Sequence, residues 1–315
     1  MQTRKSLSPV IHWVHRQDMS SMPRVAILGV SGFIGRGLPA RLKELGMEST
    51  GVSRFGGAAV TGIEHWQTPA TLDFAGHHAV INLTGASIAC RWTARHRREF
   101  YASRVGMTRR VVEALGRLSA EARPKVLVNA SAVGIYGDRG DEVLTEGDGA
   151  GRGFLADLCC AWESAAMEAE ALGVRVVRLR TGIVLGRDGG ALQKMVGVFK
   201  WGLGGRLGSG RQWLPWIHVN DLRAAIAYAV QSESLVGAVN GTAPMAVRNA
   251  DFTRKLAGAL GRPAILPVPG GILKLALGGF GDTLLAGQRV RPAALEAAGF
   301  AFDYPTLESA LADLV

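Results

Sequence analysis

The chain has 315 residues, of which 48% are hydrophobic and 20% are charged. Its 36 basic residues exceed its 26 acidic ones, so the formal net charge is +10. These values exclude a disordered chain and allow two domains, or one nucleotide-binding domain with a sizeable addition. The three cysteines exclude a disulfide framework and a cysteine-rich zinc site, so we expect no metal and a reducing, cytoplasmic compartment. No apolar run reaches the roughly 18 residues of a membrane span.

The N-terminal residues differ from the rest of the chain. Residues 1–22 carry Arg4, Lys5 and Arg16 without a continuous apolar core, so they do not resemble a secretory signal. Fold-like sequence starts at Arg24, and residues 1–22 are therefore predicted to be a flexible tail. An organelle transit segment rich in arginine and serine is the alternative.

Short apolar runs alternate with helix-length segments as far as residue 180. The first run, Arg24–Gly29, ends in glycine, and a helical pattern through Leu38, Leu42 and Leu45 follows it. Further strands are predicted at residues 49–53, 78–83, 125–130 and 174–179. This alternation predicts an α/β fold with a doubly wound parallel sheet that is covered by helices on both faces.

The alternation stops in the second half of the chain. Helices are predicted there at residues 220–230, 249–260 and 306–314, between glycine-rich apolar segments. We predict a Rossmann domain over residues 23–181, to which residues 216–242 return. Residues 182–215 and 243–315 are predicted to form a smaller, mostly helical cap. The substrate is expected to bind in the cleft between the two.

A glycine pattern marks the turn between the first strand and the first helix. Gly29 permits a tight turn, Gly32 lets the backbone approach a pyrophosphate, and Gly35 allows the helix to pack closely on the strand. The helix N-terminus adds free N–H groups and positive potential. The predicted cofactor contacts of this turn are Gly29, Ser31, Gly32, Phe33, Ile34 and Gly35.

The end of the second strand indicates which dinucleotide binds. An acidic side chain there holds the ribose 2′-hydroxyl of NAD, but this chain has Ser53 and Arg54, and Glu48 lies too early. Arg54 is suited to a bidentate contact with a 2′-phosphate, so NADP(H) is the predicted cofactor. The alternative is an ordinary exposed arginine. Further contacts are predicted where the strand at residues 78–83 ends, at Asn82, Leu83, Thr84 and Gly85.

A cluster of seven arginines lies between residues 91 and 110, opposed by Glu99 alone. Tyr101, Val105 and Thr108 recur at helical spacing in the same stretch, so the arginines are predicted to cover the exposed side of an amphipathic helix. A nucleic-acid surface is the alternative, and the absence of any accompanying nucleic-acid-binding motif argues against it.

Several long segments resemble a known family. They are ILGVSGFIG (27–35), AVINLTGASIACRWT (79–93), NASAVGIYGDRGDEVLTE (129–146), FLADLCCAWESAA (154–166), RTGIVLGRDGGAL (180–192), GLGGRLGSGRQWLPWIHVNDL (202–222) and QRVRPAALEAAGF (288–300). The chain resembles the atypical and extended short-chain dehydrogenase/reductases, in particular an epimerase-like family whose bacterial members have sometimes been labelled cell-division inhibitors. This resemblance implies an NADP-binding Rossmann fold and an oxidoreductase or epimerase, without a defined substrate.

The superfamily resemblance implies a Tyr-x-x-x-Lys pair on the helix after the fifth strand, with an upstream serine. The pair is absent, because Tyr101, Tyr136, Tyr228 and Tyr304 are followed four residues later by Val105, Gly140, Ser232 and Glu308. Ser131 stands where the superfamily serine binds the substrate oxygen, with a plain strand-end hydrogen bond as the alternative. Tyr136 follows in a turn that is expected to face the cleft. Ser131 and Tyr136 are therefore the catalytic candidates, although an unassisted tyrosine keeps a pKa of about 10 and is a poor base.

Two residues of the expected catalytic helix are weaker candidates. Cys159 stands where the superfamily lysine is expected, and it is a possible nucleophile or acid. A buried, inert thiol is the alternative. Glu163 is expected either to titrate in the cleft or to pair at the helix surface.

Substrate contacts are predicted in the second half. The segment from Gly208 to Trp216 resembles the one with which related sugar-nucleotide epimerases place an arginine on the substrate phosphate, so Arg211 and Trp216 are candidates. The spacing to Trp216 is longer than in those enzymes, which argues against a nucleotide sugar. Lys194, in a loop entering the cap, is a further candidate, with an exposed lysine as the alternative.

Two functions follow from these patterns. The first is an NADP(H)-dependent oxidoreductase or epimerase acting on a small polar or anionic molecule. The second is a non-catalytic NADP-binding regulatory or sensor protein. The missing Tyr-x-x-x-Lys pair favours the sensor, whereas the glycine-rich cleft and Arg211 favour the enzyme.

Overall fold

The strands of a computed structural model, which describes residues 22–54 and 60–315, follow the predicted alternation. In chain order they are β1 (Arg24–Leu28), β2 (Glu48–Val52), β3 (His65–Gln67), β4 (His77–Asn82), β5 (Val126–Ala132), β6 (Val143–Leu144), β7 (Arg175–Thr181), β8 (Ile183–Gly186), β9 (Trp213–Leu214), β10 (Trp216–His218), β11 (Gly237–Gly241), β12 (Val247–Arg248) and β13 (Arg289–Val290).

The helices fill the connections between these strands. They are α1 (Leu38–Glu44), α2 (Ala94–Tyr101), α3 (Met107–Gly116), α4 (Phe154–Met167), α5 (Gly190–Lys200), α6 (Val219–Gln231), α7 (Asn249–Ala259), α8 (Gly270–Leu277), α9 (Gly279–Leu285), α10 (Ala293–Ala297) and α11 (Leu307–Leu314). Short 3₁₀ turns lie at Gly35–Gly37, Ala120–Ala122, Val133–Tyr136 and Glu170–Leu172, and a π-helical segment, Ala102–Gly106, joins α2 to α3. None of the helices in the described part of the chain combines the length and hydropathy needed to cross a lipid bilayer.

The main sheet has the order β3-β2-β1-β4-β5-β7-β11, and its described strand pairs are all parallel. From β1 the chain first adds β2 and β3 on one side. It then crosses back and adds β4, β5, β7 and β11 on the other side of β1. The order therefore reverses between β1 and β4, and in doubly wound sheets ligands bind at such a reversal, beyond the carboxyl ends of the strands. The predicted fold is confirmed.

Alternation along β1 divides the core into two layers. Val25 and Ile27 pack with α1 and α6 on one face, whereas Ala26 and Leu28 pack with α3 on the other. All four side chains have no exposed surface, as expected for a strand that is buried on both faces. Helices therefore cover both faces of the sheet at β1.

The second half supplies both a strand to the main sheet and a separate core. β11 pairs with β7, so the chain returns to the sheet after the first glycine-rich segment. A second core forms around Trp216, Phe252, Leu256 and Leu311, from β10, α7 and α11. This core belongs to the helical C-terminal region.

The predicted domain organisation stays a prediction, and two observations bear on it. The tail predicted for residues 1–22 lies outside the described residues except for Met22. The segment 243–315, predicted to be all cap, is not uniform, because Leu295 of α10 packs in the core layer that contains Val25. The remaining domain boundaries stay a prediction.

Candidate functional site

The glycine turn lies at the reversal of the sheet, at the carboxyl end of β1. Gly29 has φ +80°, and the Gly32 N–H donates a 2.9 Å hydrogen bond to the Gly29 carbonyl. A Cβ on Gly35 would lie 2.3 Å from the Gly29 carbonyl oxygen, so no larger residue fits there without backbone movement. Ser31 and Gly32 are exposed at the tip. The turn therefore offers backbone close to a ligand, as the spacing predicts.

Two side chains hold the glycine turn from behind. A Cβ on Gly186 or Gly189 would lie 2.4 Å from the Phe33 ring, so this ring fills a glycine-lined notch after β8. Arg223 of α6 donates to the carbonyls of Phe33 and Ile34, at 2.8 and 3.0 Å. The Phe33 side chain thus serves packing, which leaves backbone groups for the cofactor contacts predicted at Phe33 and Ile34.

The end of β2 lies beside this turn. Leu28 of β1 pairs with Val52 of β2, so Ser53 and Arg54 leave the sheet next to Gly29. Ser53 is buried and its N–H donates to the Gln67 carbonyl at 3.0 Å, whereas Arg54 is exposed. Arg54 is therefore at the edge where the sequence analysis expects it.

The segment after β4 crosses the glycine turn. The N–H of Leu83 donates to the Leu28 carbonyl at 3.0 Å, and a Cβ on Gly29 would lie 3.0 Å from the Leu83 carbonyl oxygen. Thr84 is half-buried and Gly85 is exposed. Leu83, Thr84 and Gly85 thus bring their backbone to the reversal of the sheet.

Asn82 has a different place from the rest of its segment. Its side chain is fully buried and donates to Asn129 Oδ1 at 2.7 Å and to Thr108 Oγ1 at 3.0 Å. Its Oδ1 accepts a 2.6 Å hydrogen bond from the Thr84 hydroxyl. Asn82 therefore holds the segment after β4 from the protein interior, and its amide does not line the cleft.

The hydroxyl of Ser131 points into a buried ionic network. It donates a 2.7 Å hydrogen bond to Glu163 Oε1 on α4. The same carboxylate accepts two hydrogen bonds from Arg180 of β7, at 2.9 and 3.0 Å, and one from Arg178 at 3.2 Å. Because its acceptors are filled by internal partners and its side chain is buried, Glu163 is an ion-pair residue of the protein interior, rather than of the helix surface.

Tyr136 belongs to the same network and has no exposed surface. Its hydroxyl accepts a 3.0 Å hydrogen bond from Arg180 Nη1. The same hydroxyl can donate a hydrogen bond to Asn240 Oδ1 at 2.8 Å or to the Thr145 carbonyl at 2.9 Å. Burial raises the pKa of Tyr136 above its usual value. The expectation that Tyr136 faces the cleft is wrong, because its ring packs in a core cluster and its hydroxyl joins the 3₁₀ turn after β5 to β7 and β11.

Cys159 is a buried thiol. It packs beside Tyr136 and Val133, and burial raises its pKa to about 12. A thiol with this pKa is protonated at neutral pH and is a poor nucleophile. The inert alternative of the sequence analysis therefore describes Cys159 better than the catalytic one.

The predicted substrate residues differ in burial. Trp216 is 1% exposed and its indole N–H donates to the Met245 carbonyl at 2.9 Å, so its expected role at the substrate is wrong. Arg211 is exposed, and its carbonyl accepts a 2.6 Å hydrogen bond from Arg248. Lys194 is exposed on α5.

Arg104 was missed by the sequence analysis, which placed it on a solvated helix face. Its Nη2 donates a 2.9 Å hydrogen bond to the Ala86 carbonyl, and its guanidinium lies over the Trp162 ring at 5.3 Å. A Cβ on Gly85 would lie 3.1 Å from Arg104 Cζ. The sequence does contain a signal for the inward position of Arg104. It lies four residues after Phe100 and four before Thr108, both of which are buried.

The fold and this edge of the sheet define a Rossmann-type protein of the dinucleotide-binding class. Residues 25–240 match the model of the NAD dependent epimerase/dehydratase family, and residues 268–314 match a domain of unknown function, DUF1731. The first match spans more than half of the 315 residues, so the chain belongs to the NAD dependent epimerase/dehydratase family.

Curated relatives carry names of the same family. The chain is 38% identical over 304 residues to the chloroplastic epimerase family protein SDR39U1 homolog of Arabidopsis thaliana, with 92% of this chain and 86% of the relative covered. It is 42% identical over 294 residues to an epimerase family protein of Mycobacterium bovis, with 91% and 96% covered.

Solved structures show the same fold. Human epimerase family protein SDR39U1, crystallised with NADPH, superimposes with a TM-score of 0.85 at 32% identity, covering 92% of this chain and 98% of that one. The UDP-glucuronic acid 4-epimerase of Bacillus cereus gives a TM-score of 0.74 at 14% identity, with 92% and 97% covered. The second likeness concerns the fold alone.

Proposed function

We propose that the chain binds NADP(H) across the carboxyl ends of β1, β2 and β4. The observation that carries this proposal is the position of Arg54 beside the glycine turn, at the end of β2. An acidic residue at this position would repel a 2′-phosphate, whereas a guanidinium attracts it. The NADPH in the human relative supports the same cofactor.

The glycine turn fits a dinucleotide. Backbone fills the space where side chains at Gly29 and Gly35 would lie, and the exposed Ser31 and Gly32 precede the helical turn that starts at Gly35. N–H groups at the start of a helix bind phosphate oxygens. When bound, the cofactor supplies hydride chemistry at nicotinamide C4.

The proposed reaction is an oxidoreduction or epimerisation of a small polar or anionic molecule. Family membership supports this reaction class, and the exposed cations Lys194 and Arg211 are the proposed anion contacts in the second half. Ser131 and Tyr136 do not exchange the proton in this proposal, because internal hydrogen bonds occupy both hydroxyls. The proton then passes between the substrate and solvent. The cytoplasm is the proposed location.

A non-catalytic NADP(H) sensor is the second candidate. The buried network favours it, because Ser131, Tyr136 and Glu163 hold α4, β5 and β7 together. Deuterium transfer separates an oxidoreductase from the sensor. NADPH carrying deuterium at C4 is incubated with a mixture of small aldehydes, ketones and keto acids, and products are analysed by mass spectrometry. Deuterated product supports the enzyme, and its absence argues against an oxidoreductase.

Cofactor choice is tested by titrating the protein with NADPH and NADH and following the fluorescence of the bound nicotinamide. We expect NADPH to bind at least about tenfold more tightly, because a charged contact to the 2′-phosphate is worth about 1.5 kcal/mol or more. Arg54→Ala should remove this preference. Arg117→Ala, which removes an exposed arginine after α3, is the matched control and should keep it. Equal affinities in the unmutated protein would overturn the proposal.

A further inference from the structure

The guanidinium of Arg104 lies between the proposed cofactor segment and α4. On one side, the edge formed by Nε and Nη2 is next to Gly85, since a Cβ there would lie 3.4 and 3.2 Å from these atoms. Gly85 itself is exposed. On the other side lies the Trp162 ring of α4, at 5.3 Å. Arg104 thus links the cleft to the helix on which the superfamily lysine is expected.

Arg104 has few internal partners. A guanidinium carries five N–H donors, and the only hydrogen bond that the Arg104 side chain makes with the described residues goes to the Ala86 carbonyl. Its Nη1 is buried and has no hydrogen-bond partner among the described residues. Burial lowers the pKa of Arg104, but an arginine remains charged in proteins. The Nε on the edge next to Gly85 also makes no hydrogen bond with the described residues, so this edge, rather than the enclosed Nη1, is where a ligand oxygen would bind.

The position of Arg104 beside α4 indicates which part of the cofactor it contacts. Its charge opposes the rise in the pKa of Cys159, so the two groups are close enough to interact. Cys159 is the position at which the superfamily lysine is expected, and Trp162 lies one turn further along the same helix face. Arg104, in the π-helical segment that packs against α4, therefore places a cation beside this face of α4.

The π-helical segment explains how Arg104 reaches this place. Ala102–Gly106 interrupts the α-helical pattern between α2 and α3 and contains Arg104. Within it, Ser103 Oγ accepts a 3.0 Å hydrogen bond from the Ala86 N–H, while Arg104 binds the Ala86 carbonyl. Two consecutive residues, Ser103 and Arg104, thus bind the N–H and the carbonyl of Ala86. Segments of π-helix are frequent at functional sites.

We propose that Arg104 donates a hydrogen bond to an oxygen of the nicotinamide half of NADP(H), in place of the missing lysine. The inference rests on the proposed NADP(H) binding. Arg104 orients the nicotinamide and adds positive charge beside it. It transfers no proton, because arginine does not deprotonate in proteins.

The test compares NADPH with 2′,5′-ADP, which contains the adenosine half of NADP(H) and lacks the nicotinamide half. Arg104→Gln should weaken NADPH binding about tenfold to hundredfold, the range for a lost hydrogen bond from a charged group. The same variant should bind 2′,5′-ADP as the unmutated protein does. Arg109→Gln, which removes an exposed arginine from the same helix, is the control and should change neither affinity.

Each other result has a definite meaning. Equal weakening of NADPH and 2′,5′-ADP would show that Arg104 only supports the fold, and unchanged NADPH binding would also overturn the proposal. If Arg104→Gln fails to fold, Arg104→Lys, which keeps the charge but loses the planar fork, should still bind NADPH more weakly and 2′,5′-ADP normally. If the unmutated protein binds neither ligand, the proposed cofactor itself is wrong. Normal binding of both by Arg104→Gln overturns the Arg104 inference alone.

Discussion

Ser131 and Glu163 are joined by a 2.7 Å hydrogen bond although 32 positions separate them in the chain. The bond connects the end of β5 to α4, directly below the cleft at which the superfamily serine is expected to act. Glu163 also binds Arg180 and Arg178, so the Ser131 hydroxyl completes a buried ionic cluster. The structure thus uses an expected catalytic group to join its elements.

Removal of the Glu163 carboxylate should destabilise the fold strongly. Glu163→Ala leaves the Arg180 guanidinium buried without its carboxylate partner, and breaking such a pair costs about 3–5 kcal/mol. Urea unfolding followed by circular dichroism measures the free energy of unfolding. Glu168→Ala, at an exposed position beyond the same helix, should change it by less than about 0.5 kcal/mol. A similar small effect for Glu163→Ala would show that the cluster does not stabilise the protein.

Gly35 should not tolerate a methyl group. The Cβ of Gly35→Ala would lie 2.3 Å from the Gly29 carbonyl oxygen and 2.8 Å from Val30 Cα, both of which are backbone. We expect a loss of about 2–3 kcal/mol in stability together with weaker NADPH binding. Gly197→Ala in α5 is the matched control, since its Cβ meets nothing within 4 Å, and it should be neutral or stabilising. Normal stability and binding in Gly35→Ala would contradict the close packing of this turn.

Cys159 should be unreactive in the folded protein. Its pKa of about 12 leaves almost no thiolate at pH 8, and its side chain is 2% exposed. Brief treatment with iodoacetamide, followed by peptide mass spectrometry, should label the exposed Cys160 and leave Cys159 unlabelled. Both should react after denaturation in urea. If native Cys159 is labelled as fast as Cys160, the thiol is reactive and the prediction is wrong.

Asp221 should make stability depend on pH. Burial raises its pKa to about 6, although it accepts 3.0 Å hydrogen bonds from the N–H groups of Asp303 and Tyr304. A folded pKa above the unfolded one adds stability that is complete below about pH 4 and is lost as the pH rises to 6. The unmutated protein should therefore lose about 2 kcal/mol relative to Asp221→Asn between pH 4 and 7. A difference in stability that stays constant from pH 4 to 7 would contradict this shift.

The sheet and the glycine turn were predictable because they depend on local patterns. The apolar runs around Val25 and Val128 are buried on both faces, which produces the continuous hydrophobic stretches of a parallel sheet. The spacing of Gly29, Gly32 and Gly35 reports a backbone conformation that side chains would block. Such signals lie within a few residues of one another.

The polar interior was not predictable because its partners are distant in the chain. Tyr136 binds Asn240, which is 104 positions away, and Trp216 reaches the Met245 carbonyl across the second core. Helical spacing predicted Tyr101 on the buried face, yet Tyr101 is 36% exposed and Phe100 is 1% exposed. Phe100 therefore marks the buried face, and Arg104 lies one turn after it.

A crystal structure with NADPH tests the central claim most directly. We expect the 2′-phosphate within hydrogen-bond distance of Arg54, the pyrophosphate over Gly32, and an oxygen of the nicotinamide half within hydrogen-bond distance of Arg104. A dinucleotide whose 2′-phosphate lies away from Arg54, or whose pyrophosphate does not contact the glycine turn, would contradict the account.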